Sequence, residues 1–198
     1  MKEGTLYIFS GPSGAGKSTV IHAMMKEDPD AFFSVSATTR GRRGKEEDGV
    51  DYLFVSKERF LDMIEKNALL EWAEYAGNYY GSPAGPVMER LKQGTDVYMD
   101  IETQGAAQVL EKYPNAVTIF VMAPSFEILE QRLRGRGDTG EADVEKRLRQ
   151  GRRELERAGM YTYFLINHTE EQTIAAAKAI RLAERSKTKQ VLSYYKGV

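Results

Sequence analysis

Residues 11–18 read Gly-Pro-Ser-Gly-Ala-Gly-Lys-Ser. Gly11, Gly16, Lys17 and Ser18 meet the G-x-x-x-x-G-K-S spacing of a P-loop, in which bare backbone N–H groups curl around an anion. The flanks have the order that this loop requires. Thr5–Ser10, TLYIFS, is short, apolar and rich in β-formers, and reads as a buried strand. STVIHAMMKED reads as a helix with Val20, Ile21, Met24 and Met25 on one face. A turn with accidental glycine content is the bland alternative, and the flanking strand and helix weigh against it. The predicted cradle comprises Gly11, Pro12, Ser13, Gly14, Ala15, Gly16, Lys17, Ser18 and Thr19. The following helix points its positive end at the same anion. Lys17 suits the β- and γ-phosphates, and the Ser18 hydroxyl suits Mg²⁺. The expected ligand is a nucleoside triphosphate, ATP first among them.

Further along, Asp96–Ile101 (DVYMDI), Ala116–Met122 (AVTIFVM) and Tyr163–Asn167 (YFLIN) read as strands. The first two precede helical segments, and a long alanine-bearing helix follows the last. Strand and helix in alternation predict an α/β fold, a central parallel sheet flanked by helices. Two spans differ in texture. Residues 36–85 run from a polar stretch through VDYLFV, which alternates like a strand, to SKERFLDMIEKN, a helix N-capped by Ser56 with Phe60, Leu61 and Ile64 on one face. NYYGSPAGP then reads as a turn-rich exit. This span is expected to be an inserted subdomain with a small core of its own. Residues 126–159 carry eight arginines and eight acids, with glycines at 135, 137 and 140. They read as two helices joined by a flexible tip, the layout of a helical lid. Residues 1–35, 86–125 and 160–198 remain as the P-loop core.

Composition narrows the function. With 28 basic and 29 acidic residues the net charge is −1, which argues against nucleic acid or an anionic membrane as partner. There is no cysteine, so thiolate metal sites and disulfides are excluded and a reducing cytoplasm is the expected compartment. The N-terminal apolar run stops at Gly11, far short of the ~20 residues of a membrane helix. His22 and His168 are not spaced as a metal pair. The apolar residues of the C-terminal helix suit the core or a partner equally, which leaves monomer and homo-oligomer both open.

Four further stretches, Val35–Val55, Leu69–Pro83, Asp96–Ala106 and Arg132–Gly137, together with the P-loop, resemble guanylate kinases in order and spacing over nearly the whole chain. The resemblance implies a P-loop nucleoside monophosphate kinase of purine nucleotide metabolism. It would transfer the γ-phosphate of ATP to GMP, giving ADP and GDP, with dGMP as a further acceptor. Arg40, Arg43, Tyr52 and Tyr80 match positions that hold the GMP phosphate, and arginine forks suit phosphate oxygens. Taken alone, Arg40, Arg42 and Arg43 also read as a solvated charge run beside Glu46, Glu47 and Asp48. Glu71, in the apolar run ALLEWA, is the candidate for the base. A carboxylate accepts two hydrogen bonds, and guanine offers N1–H and the 2-amino group where adenine does not. The bland reading of Glu71 is a surface residue at a helix end. Ser36 and Ser82 match base-contacting positions. Asp100, at a strand end, suits Mg²⁺ and its waters. Glu102 stands where the family has a second aspartate, His168 where aspartate follows Asn167, and Arg42 where proline is common. Asn167 is an adenine-side candidate.

In the same family pattern, Arg132, Arg136 and Arg147 clamp phosphates from the lid. The implied chemistry needs no general base, because the attacking GMP phosphate oxygen is already anionic. Lys17, Arg40 and the lid arginines would supply charge neutralisation and alignment. Two rivals remain: a catalytically silent binding module, and a P-loop phosphotransferase for AMP, a pyrimidine nucleotide or a phosphorylated sugar.

Overall fold

A computed structural model describes residues 3–75, 77–135, 140–188 and 191–192. Its centre is a five-stranded sheet, parallel throughout. Strands β1 (Leu6–Ser10), β2 (Phe32–Phe33), β7 (Val97–Asp100), β8 (Val117–Met122) and β9 (Tyr163–Ile166) lie in the order β2-β7-β1-β8-β9. Every residue of β1 and β8 is buried. These strands therefore read as continuous apolar runs and not as alternating ones. Helices α1 (Lys17–Glu27) and α7 (Glu170–Arg185) pack with Tyr7, Phe9, Ile119 and Val121 on one face. Helices α3 (Ala84–Lys92) and α4 (Thr103–Lys112) pack with Leu6, Ile8, Val97 and Met99 on the other. Toward the β8 side, α5 (Phe126–Arg134) and α6 (Glu141–Glu156) cover Phe120 and Met122. No helix of the described residues is long and apolar enough to cross a membrane.

A second, four-stranded sheet takes β3 (Ala37–Thr38), β4 (Leu53–Phe54), β5 (Leu69–Tyr75) and β6 (Asn78–Pro83) in the order β4-β3-β6-β5. With α2 (Lys57–Glu65) it encloses a small separate core around Ala37, Phe60 and Leu69. Ser56 caps α2 by accepting from the Arg59 N–H.

Three expectations change here. NYYGSP is not an exit turn but strand β6, paired with β5 from Asn78 to Pro83. Gly81 makes that possible: a Cβ there would lie 2.7 Å from the Glu71 carbonyl oxygen and 3.1 Å from the Phe60 ring. VDYLFV shrinks to the two residues of β4, whose outer edge is closed where the Asp48 carboxylate takes the Phe54 N–H. Leu61 is exposed, and α2 buries Phe60 with Met63 and Ile64 partly covered beside it.

Candidate active site

The loop after β1 is shaped by its glycines. Gly11, Gly14 and Gly16 all have positive φ (132°, 89° and 97°), which favours a residue without Cβ. Two of them also admit a neighbour. A Cβ on Gly11 would meet the Val121 carbonyl oxygen at 2.0 Å, and one on Gly16 would meet the Asn167 amide nitrogen at 2.1 Å. Helix α1 begins at Lys17 with no side-chain cap and no acid in its first turn. Its free N–H groups and positive pole are left for an anion. The Lys17 ammonium donates to the Gly11 carbonyl (2.7 Å) and lies 3.8 Å from Asp100 at the end of β7. Ser18 sits exposed at the head of the helix.

Between the two sheets is a cavity of about 280 Å³. Ser36, Tyr52, Glu71, Tyr80, Asp100 and Glu102, named above from sequence, line it. Glu71 belongs to strand β5, not to a helix end, and is buried at 7 % exposure. Ser82, buried across the β5–β6 ladder, donates to Glu71 Oε1 at 2.6 Å. Burial pushes the Glu71 carboxyl above the usual carboxylate range and nearby Glu102 adds to this, against the Ser82 hydrogen bond and the Lys112 charge. The cavity thus holds one desolvated carboxylate whose Oε2 keeps lone pairs for a ligand.

Sequence reasoning missed Gly105, a further lining residue on α4. A Cβ there would come within 2.6 Å of Glu71 Oε2. The available signal was a glycine inside a helix, which is unfavourable by about 1 kcal/mol unless something needs the space.

The arginines divide. Arg40 is buried and forks onto the Glu46 carboxylate through Nη1 (2.9 Å) and Nη2 (2.8 Å), with its guanidinium carbon 5.3 Å from the Tyr52 ring centre. That planar two-pronged geometry suits a phosphate equally well. Hydrogen bonds from Arg40 and the Arg43 N–H hold Glu46 below the usual carboxylate range. Arg42 and Arg43 are exposed, and Arg42 faces Asp48 at 3.7 Å. The solvated-run reading therefore fits these two and not Arg40.

On the loop's other side, Arg132 donates to the Asn167 carbonyl (2.9 Å) and Arg147 donates to Ser13 Oγ (3.1 Å). Arg136 lies outside the described residues. The Asn167 amide is engaged at both ends: Nδ2 donates to the Ala15 carbonyl (2.7 Å) and Oδ1 accepts from Thr173 (3.0 Å). It braces the P-loop against β9 and α7.

Comparison with known proteins agrees with this geometry. The guanylate kinase family profile matches residues 3–183. A guanylate kinase of Desulfitobacterium hafniense is 44% identical over 195 residues, 98% of each chain. One of Halalkalibacterium halodurans is 44% identical over 98% of this chain and 95% of its own. The crystal structure of guanylate kinase from Anaplasma phagocytophilum superposes with a TM-score of 0.76 at 31% identity, covering 95% of this chain and 89% of that one. With a P-loop, a carboxylate-bearing cavity at its mouth and this degree of likeness along nearly its full length, the chain belongs to the guanylate kinase family.

Proposed function

We propose that the protein transfers the γ-phosphate of ATP to GMP, giving ADP and GDP, and accepts dGMP as well. One observation carries the reading: the buried Glu71–Ser82 pair opens into a cavity whose other wall, Asp100, stands 3.8 Å from Lys17. Guanine's N1–H and 2-amino group are the donors that an ionised Glu71 accepts, and adenine would leave the carboxylate desolvated and unpaired. Tyr52, Tyr80, Arg40 and Arg43 take the acceptor phosphate, and Arg40 exchanges the Glu46 carboxylate for phosphate oxygens. Ser36 and Ser82 border the base. None of these residues requires a 2′-hydroxyl.

The Gly11–Thr19 backbone and the α1 N-terminus cradle the donor's phosphates, with Lys17 on the β- and γ-groups. The Ser18 hydroxyl and the Asp100 carboxylate are hard oxygen donors beside that cradle and fit Mg²⁺, with Glu102 as an outer carboxylate. Bound there, magnesium would neutralise charge on the triphosphate. The chain's own groups do the rest. The attacking oxygen is already anionic, so the residues align two polyanions and exclude water without a base. Residues 36–85 act as the acceptor subdomain and 126–159 as the lid. From the lid, Arg132, Arg136 and Arg147 meet the transferred group, and Asn167 fixes the adenine side through the loop that it braces. The balanced charge and lack of cysteine suit a cytoplasmic enzyme of purine nucleotide metabolism with small-molecule partners.

The test is ADP and nucleoside diphosphate production from Mg·ATP with each of GMP, AMP, CMP and UMP. GMP is expected to exceed AMP by at least about 100-fold in kcat/KM. Comparable phosphorylation of AMP would overturn the Glu71 reading, and no product with any acceptor would favour a binding module.

A further inference from the structure

Helix α6 crosses the P-loop on a single stripe. Arg147 donates to Ser13 Oγ at 3.1 Å. One turn later Gly151 approaches so closely that a Cβ would lie 3.0 Å from the Pro12 Cβ. The next residue on this stripe is Glu154, since positions 147, 151 and 154 recur at helical spacing. Pro12 is also where Lys17 reaches, its ammonium lying 3.4 Å from the Pro12 carbonyl oxygen. Glu154 is buried at 5 % exposure. Its Oε1 accepts from Gln150 Nε2 at 3.0 Å, while its Oε2, equally enclosed, has no hydrogen-bond partner.

A buried carboxylate oxygen left bare is unfavourable unless a charge compensates it. The charged and titratable groups that face Glu154 are few. Burial pushes the Glu154 carboxyl above its ordinary value; the Gln150 hydrogen bond and, from the loop, the Lys17 charge work against this, while Glu102, from the turn after β7, adds to it. From the segment before β9 comes Tyr161, whose hydroxyl is likewise enclosed and unpaired. Among the described residues, Lys17 is the cation that bears on the Glu154 carboxyl. Within ion-pair distance Lys17 has Asp100, at 3.8 Å. The P-loop ammonium thus has one carboxylate beside it on the core sheet, while the Glu154 carboxylate on α6 bears on it from beyond 4 Å.

We propose that Glu154 is a positioning residue for phosphoryl transfer: its carboxylate, carried on α6, steadies the Lys17 ammonium at the mouth of the P-loop. Lysine is a flexible stem with a point charge. Two carboxylates bearing on it restrict where that charge points before the phosphates arrive. The helix that carries Arg147 to the loop then also aims Lys17, so one docking event sets both cations. This inference rests on the γ-phosphate transfer proposed above.

A double-mutant cycle tests it, read as single-turnover GDP formation from Mg·ATP and GMP by Glu154→Gln, Lys17→Ala and the double variant. Glu154→Gln is expected to slow the reaction about tenfold with the KM for GMP unchanged. In the Lys17→Ala background the same change is expected to add no further loss. Equal losses in both backgrounds, or no loss in either, would overturn the inference. A second measurement needs no change at Glu154. In protein labelled with ¹³C-carboxyl glutamate, the Glu154 resonance should titrate at higher pH in Lys17→Ala than in the unaltered protein, because the stabilising cation is gone. An identical titration would also overturn it. If the unaltered protein makes no GDP, the proposed function fails; if it turns over and Glu154→Gln matches it, only the role of Glu154 fails.

Discussion

Glu71 shows how much chemistry one side chain takes from its surroundings. Its position in an apolar run was visible in the sequence, but its partners were not. Ser82 lies across a β-ladder, and Gly105 lies on a different helix, where its missing Cβ leaves room for Oε2. Burial raises the Glu71 carboxyl's pKa, and two consequences follow with opposite signs for binding and stability. Accepting two hydrogen bonds requires the ionised form, so GMP affinity falls as pH drops through that raised value, earlier than for an ordinary glutamate. For folding, a carboxyl with a raised folded-state pKa contributes stability below its unfolded value and loses it as pH rises through the folded one. At neutral pH the ionised group is therefore a standing strain on the fold. Glu71→Gln is expected to raise Tm at pH 7 while lowering the GMP-over-AMP ratio of kcat/KM by about 100-fold or more. Calorimetry and steady-state kinetics on one preparation check both, and an unchanged nucleotide preference would remove Glu71 from the base site.

Elements were legible wherever local chemistry suffices. The Ser56 cap, the helical spacing of Val20, Ile21 and Met24, and the buried, largely apolar β1 and β8 all stand in the structure as the sequence implied. β6 escaped detection because its glycine and proline signal turns. Only the packing of Gly81 against Phe60 and the backbone of β5 explains a strand there. Asn167 illustrates the same point between elements. At the end of β9 it ties the Ala15 carbonyl of the loop to Thr173 of α7. Asn167→Ala would take the amide donor from the buried Ala15 carbonyl, while the Thr173 hydroxyl keeps the Thr169 carbonyl as its acceptor, a loss of about 2 kcal/mol. The expected outcome is a lower urea midpoint and a higher KM for ATP, with the KM for GMP little changed. Equal increases in both KM values would indicate general loosening and not a brace for the loop.

For the molecule as a whole, the active cleft is an arrangement of two sheets and a helical pair. α6 touches the loop through Arg147 and reaches the second sheet through Lys146, whose ammonium lies 5.1 Å from the centre of the Tyr75 ring of β5. The second sheet and α6 therefore meet across the cleft, and under the proposed function their closure should depend on both nucleotides. Amide hydrogen exchange in residues 36–85 and 126–159 is expected to slow most when Mg·ADP and GMP are present together, and less with either alone. Protection by GMP alone equal to that of the pair would argue against joint closure. The sequence alone determined the glycine loop, the strand–helix alternation, the cap on α2 and the kind of ligand, because backbone freedom, periodicity and charge act between near neighbours. Only the tertiary structure decided that Glu71 meets Ser82 and Gly105, that Arg40 is buried on Glu46 while Arg43 is not, and that α6 packs Gly151 against Pro12 of the loop. Those contacts join distant or separately folded segments, and nothing in a local pattern encodes which surfaces will exclude water between them.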